Sequence, residues 1–169
     1  VKLTSLIISL SDNNIWPALI LTGIACLLLG MEVPTTAAYV ICVSVAGPAL
    51  VDMGLELLQV HLFVFWFALL STITPPVCGT VFIASGMVSE NWLKVSLTSM
   101  SLGIGLYFIP LAMIANEAII QLETDFISSI MAFVKIALSL VMLSYAFISK
   151  NLIIAKMISF GLGLFVMFI

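Results

Sequence analysis

Two clusters of neutral hydroxyls are the residues best suited to chemistry in this chain. Thr35 and Thr36 follow Gly30 and Pro34, and Ser71, Thr72 and Thr74 run directly into Pro75 and Pro76. Proline removes a backbone donor and clashes with the turn before it, and it disfavours helix at the preceding residue. Both clusters therefore sit where a helix must come apart, with carbonyls freed around residues 69–73 and hydroxyls beside them. Neutral oxygens of this kind can ligate a hard cation such as sodium without burying a counter-charge. The opposite half-helix ends offer unpaired amide donors to an anion. A plainer reading is that Gly-Pro and Pro-Pro only kink helices for packing, but two interruptions in adjacent segments, both rich in hydroxyls, favour binding.

Other chemistries lack their residues. There is no Gly-x-Ser-x-Gly elbow, no His-Glu-x-x-His, no cysteine pair at metal spacing and no phosphate loop, so no catalytic residue and no resident cofactor is expected. The single histidine, His61, lies beside Leu62-Phe63-Val64-Phe65 and reads as an interfacial side chain. Cys26, Cys42 and Cys78 each stand inside an apolar run and read as small core residues. Five lysines, no arginine and eight acidic residues give a net charge of −3, so no basic stripe exists to neutralise a nucleic acid.

The elements that must hold the two clusters follow from composition. Of 169 residues, 63% are apolar and 8% charged, against about 25% charged in a soluble domain, so the chain is an all-α polytopic membrane protein. It begins at Val1 without a methionine and ends in an apolar run, and it reads as a fragment of something longer. Residues 1–14 read as the end of a preceding segment and a loop. Residues 15–50 would extend about 54 Å as one helix, well beyond a hydrocarbon core of about 30 Å, so the chain must turn within them. Asn14 and its neighbours can cap a first helix over 15–29, and Gly30 can close it in the left-handed conformation. Thr35 or Thr36 can cap a second helix that ends near residue 50. The result is a helical hairpin with its tip at 30–36. The tip has a single charge, Glu32, and no lysine, which favours a re-entrant hairpin over two full crossings.

Residues 58–88 are interrupted at 71–76, and neither piece is long enough to span comfortably, so this segment reads as one transmembrane helix broken at mid-membrane. Residues 94–115 suit a simple span, and 126–169 suit two more helices. The loops near Lys94 and Lys150 hold lysine whereas the intervening ones do not, which places those two loops in the cytoplasm. Lys135 inside its helix is costly unless it snorkels or pairs with an acid of another helix. Ser99 with Gly103 and Ser101 with Gly105 read as packing pairs.

The order of three motifs carries a resemblance. They are Gly30-Met31-Glu32-Val33-Pro34-Thr35-Thr36-Ala37-Ala38-Tyr39-Val40, then His61-Leu62-Phe63-Val64-Phe65, then Ser71-Thr72-Ile73-Thr74-Pro75-Pro76-Val77. Over residues 15–120 the chain resembles the C-terminal half of the large permease of tripartite ATP-independent periplasmic (TRAP) transporters. More narrowly, it resembles the fused permeases that work with TAXI-type binding proteins. The resemblance implies half of an elevator-type transporter with a re-entrant hairpin and a broken helix, in the multi-pass cytoplasmic (inner) membrane of a bacterium or archaeon. It implies cation or substrate contacts at Gly30, Thr35, Thr36, Ser71, Thr72, Thr74 and Pro75. It further implies sodium, or else protons, as coupling ion, and no metal beyond that sodium. The implied partners are an extracytoplasmic solute-binding protein, a small organic anion, the lipid bilayer and the remaining half of the permease. Residues 126–169 would be the extra helices that fused members carry.

Two positions depart from the family pattern, which usually has glycine at Glu32 and often asparagine at Thr72. Glu32 either tunes cation affinity or points into an aqueous cavity. The competing readings are a structural or assembly membrane subunit, and an elevator-type dicarboxylate/sodium symporter with no binding protein.

Overall fold

The computed structural model of the chain describes residues 2–12, 14–31, 33–120, 125–149 and 153–168. It divides into two compact units, residues 1–97 and 98–169.

The first unit is built on α1 (Lys2–Leu10), α2 (Ile15–Leu29), α3 (Thr35–Asp52), α4 (Leu57–Leu70) and α5 (Gly79–Val88). Asn14 caps α2 by accepting the Trp16 amide at 3.1 Å. The cap of α3 is Pro34, with no side-chain bond, so Thr35 and Thr36 are its first helical residues and not its cap. Glu56 and Gln59 form a capping box at the start of α4. Small residues let α2, α3 and α4 approach closely: Ala18, Ala38, Ala46 and Ala49 are buried, and a Cβ on Gly23 would sit 3.0 Å from the Phe67 ring. Phe63 and Phe67 stack at 4.8 Å beside them. Cys26, Cys42 and Cys78 are free and buried.

The second unit contains α7 (Ile104–Ala115), a short 3-10 turn (Glu117–Ile119), α8 (Phe126–Ile148) and α9 (Ile153–Phe168). α6 (Trp92–Leu102) runs across the division between the units. The stretch read as a single span over 94–115 is thus two helices, α6 and α7, with Gly103 between them as the N-cap of α7. Gly105 packs as expected: a Cβ there would lie 3.2 Å from Leu140. Gly163 seats α9 on α8, where a Cβ would meet Leu143 and the Ser139 carbonyl at 3.1 Å.

Lys135 finds its partner inside this unit, and the partner is not an acid. Its ammonium donates to Asn116 Oδ1 at 2.8 Å. Asn116 in turn donates to the Ala112 carbonyl at 3.1 Å and the Met167 carbonyl at 2.9 Å. The C-cap residue of α7 therefore ties α8 and α9 together, and it occupies a carbonyl that the end of α9 leaves without an intrahelical donor.

Among the described residues, α3 and α8 are long and apolar enough to cross a membrane by themselves, and α6 with α7 makes a third candidate span. Their outward faces carry Val40, Ile41, Phe133, Val134 and Val141, all exposed. A face of this kind is stable only against lipid or another protein.

Candidate functional site

The tip of the α2–α3 hairpin rests on the break between α4 and α5. Gly30 closes α2 with its amide on the Cys26 carbonyl at 3.0 Å. Its conformation, φ −83° and ψ −6°, is right-handed. The left-handed closure expected from the sequence does not occur, and the reason for glycine is space: a Cβ would come within 2.8 Å of the Ser71 Cβ. The tip backbone reaches the break because residue 30 has no side chain.

At the break the hydroxyls fold back on the helix they follow. Ser71 donates to the Ala68 carbonyl at 2.7 Å, Thr72 to Leu69 at 2.8 Å and Thr74 to Leu70 at 2.7 Å. The carbonyls freed by the prolines are thus held by hydroxyls, and those at 69 and 70 also accept the amides of Thr72 and Ile73. A further hydroxyl, on Thr80 in the first turn of α5, donates to the Thr72 carbonyl at 2.6 Å and ties the two half-helices together. Cys78, the N-cap of α5, donates to Ser96 Oγ at 3.8 Å and fixes the start of α5 against α6.

Tip and break border an open cavity of about 460 Å³ lined by Gly30, Met31, Val33, Thr72, Val77, Gly79 and Thr80. None of these seven side chains is ionisable, and the dipoles of two helix ends face the cavity. The α4 end presents carbonyl character and the α5 start presents amides at Gly79 and Thr80, with the partial charges of helix termini. Each hydroxyl that donates its proton to a carbonyl keeps its oxygen lone pairs as acceptors. Thr72 and Thr80, whose protons are committed in this way, therefore offer lone pairs at the cavity and no free O–H.

Of the residues expected to make contacts, Gly30 and Thr72 line the cavity. Ser71 and Thr74 are buried behind it, where they shape the break. Pro75 and Thr35 are half-buried and Thr36 is exposed, and none of the three lines the cavity. Glu32 lies outside the described residues. Gly79 and Thr80 escaped notice in the sequence. The signal was present, since a helix that resumes after Pro75-Pro76 must direct its first turn back at the break that it leaves.

The first two motifs also meet. The Tyr39 hydroxyl and His61 Nδ1 are 2.6 Å apart, and Tyr39 packs edge-on against Phe65 at 5.7 Å. His61 is thus a buttress between α3 and α4, and with Gly47, Pro48 and Asp52 among others it lines a second cavity of about 310 Å³.

Helices with lipid-suited faces, packed through small residues beside a cavity at a helix break, define an α-helical membrane protein. Residues 1–127 match the family model of the tripartite ATP-independent periplasmic transporter, DctM component, and the chain belongs to that family. No curated protein and no solved structure matches the chain. Membership makes it a permease component of a TRAP-type transporter, from a family of transporters and not of enzymes. It also implies a membrane setting, a substrate-binding protein and a small DctQ component as partners.

Proposed function

We propose that the chain forms one half of the transport site of a sodium-coupled importer of small organic anions, in the cytoplasmic membrane, with substrate delivered by an extracytoplasmic binding protein. The observation that carries this reading is the contact of the hairpin tip at Gly30 with the helix break at Ser71 around one cavity. Thr72 and Thr80 turn lone pairs toward that cavity, as a cation requires, and the first amides of α5 suit an anion's oxygen. A volume of about 460 Å³ falls in the range of small-molecule sites, about 300–1,000 Å³. No arginine exists anywhere in the chain to clamp a carboxylate, so anion recognition rests on amides and hydroxyls here and on groups outside the chain.

The mechanism is alternating access of the elevator kind. Tip and break touch too closely to slide independently, so they travel as one body with ion and anion between them. A re-entrant hairpin fits α2, which with 15 residues reaches about 22 Å, short of a core of about 30 Å. A fused permease of the TAXI type accounts for α8 and α9, most of which lies beyond residue 127, where the family match stops.

The test is uptake by proteoliposomes that hold the complete transporter, supplied with its binding protein and a panel of labelled organic acids. Uptake should require an inward sodium gradient and persist when the proton gradient is collapsed. Uptake that ignores sodium and follows the proton gradient would replace sodium by protons. No uptake of any anion by a correctly assembled complex would return the chain to a structural role.

A further inference from the structure

The last two helices have a charge pattern that the transport site does not use. After Asp125 the chain contains no acidic residue, yet it contains Lys135, Lys150 and Lys156. Lys135 is held by Asn116. Among the described residues the one ion pair is Lys94 with Glu90, so Lys156 has no carboxylate partner there. Its ammonium is therefore open to an anion from outside the chain.

Lys156, half-buried, lines an open slot of about 200 Å³ together with Ala146, Phe147, Met157 and Phe160. The lining has an order along the helix. Lys156 is the fourth residue of α9, and lysine side chains on a helix lean toward its N-terminus, so the ammonium reaches the level where α9 enters the membrane. Phe160 lies one turn deeper and packs edge-on against Phe147 at 5.9 Å. Ile153, Ile154 and Met157, in the first turns of the same helix, are exposed. A cation at headgroup level above an aromatic, apolar slot is the complement of a phospholipid with a negative headgroup. The lysine-rich end of these helices is also the one that the positive-inside tendency assigns to the cytoplasmic leaflet, where anionic lipids concentrate.

We propose that the α8–α9 end, around Lys156, Phe147 and Phe160, is a binding site for an anionic phospholipid: the phosphate sits on the Lys156 ammonium and an acyl chain fills the slot below. The site is separate from the α4–α5 cavity and does not depend on how that cavity is read.

The experiment reconstitutes the full chain in bilayers with equal amounts of phosphatidylglycerol and phosphatidylethanolamine, extracts it gently, and weighs retained lipids by native mass spectrometry. Phosphatidylglycerol should be retained about fivefold over phosphatidylethanolamine, the ratio that one lysine near a charged surface supplies. Lys156→Ala should bring the ratio close to one, whereas Lys156→Arg should keep it. Lys94→Ala, which removes a lysine already paired with Glu90, should also keep it. Phe160→Ala, which opens the slot and leaves the charge, should lower the total lipid retained. Equal retention of the two lipids by the unaltered chain, or an unchanged ratio in Lys156→Ala, would overturn the proposal. So would displacement of the retained phosphatidylglycerol by millimolar inorganic phosphate, which would identify a site for a free anion instead. Circular dichroism of each variant checks that the helices remain.

Discussion

Gly30 and Ser71, from different helices, lie so close that a single methyl group cannot be added between them. A Cβ on Gly30 would stand 2.8 Å from the Ser71 Cβ and 3.1 Å from the Cys26 carbonyl. The Ser71 Oγ lies nearer still; rotating it away would break its bond to the Ala68 carbonyl and leave the Cβ contact in place, so relief requires a backbone shift in the tip, in the break or in both. The same contact that shapes the cavity packs the hairpin tip on the helix break.

Gly30→Ala should therefore cost about 1–3 kcal/mol by overpacking and depress transport. Gly30→Ala with Ser71→Gly should recover both, because the second change removes the Cβ that the first one meets. Thermal unfolding in detergent and anion uptake by the assembled transporter give the two readouts. Recovery by Ser71→Gly but not by Ser71→Ala would identify the serine Cβ as the obstacle.

Thr80 should matter more than Thr36, although only the latter stands in the hydroxyl clusters. Thr80→Val removes the hydrogen bond from α5 to the Thr72 carbonyl and takes an oxygen from the cavity lining. A hydrogen bond of this kind is worth about 1 kcal/mol net, so the sodium concentration for half-maximal uptake should rise about fivefold. Thr80→Ser should restore it. Thr36→Val, at an exposed position away from the cavity, should leave sodium dependence unchanged. Titrating uptake against external sodium separates the three variants.

The positions of the helix interruptions were legible because proline and glycine act locally. Pro34 and the Pro75-Pro76 pair alter the backbone within a turn, and α3 begins at Thr35 and α4 ends at Leu70 around them. The interruption at Gly103 was not legible, because a lone glycine between apolar residues is compatible with a continuous helix, and the surroundings decide. The contact between Gly30 and Ser71 was also hidden: residues 41 positions apart in sequence are joined by packing, which carries no local signature. For the same reason Lys135 pairs with an amide oxygen, whereas the sequence points to snorkelling or to an acid. Charge arithmetic names the need for a partner, whereas the fold chooses it.

Asp125 gives unit two a response to acid. One carboxylate oxygen accepts the Ser128 amide at 3.1 Å and the other the Ser128 hydroxyl at 2.6 Å, so Asp125 is the N-cap of α8. The hydroxyl bond, then the amide bond, holds its pKa below the ordinary value of 3.8. A depressed folded value means that the unfolded chain binds the proton more readily. The contribution is complete above the ordinary carboxylate range and is lost as pH falls through the folded value. Hydrogen exchange at the first-turn amides of α8 should accelerate as pH is lowered below about 4, after correction for intrinsic rates. Asp125→Asn, which still caps but does not titrate in this range, should remove that pH dependence.

Asn116 should prove the most sensitive polar residue of the second unit. Its carboxamide satisfies three separate needs: it accepts from Lys135 and donates to the carbonyls of Ala112 and Met167. Asn116→Leu keeps the number and branching of the side-chain heavy atoms but strands an ammonium on α8 and a carbonyl at the end of α9. Hydrogen bonds to charged groups contribute about 1.5–3 kcal/mol, although polar pairs within membranes average closer to 0.6 kcal/mol. A loss of about 1–2 kcal/mol is expected, read as a lower Tm in detergent. Lys135→Met alone removes the ammonium but leaves the amide oxygen without its donor, so it too should destabilise. The double variant should lose less than the sum of the two, since with both gone no charge is left unpaired. Strict additivity would mean that the 2.8 Å contact between Lys135 and Asn116 contributes nothing, and that α8 and α9 are held to α7 by apolar packing around Ala112, Ile136, Leu143 and Met167 alone.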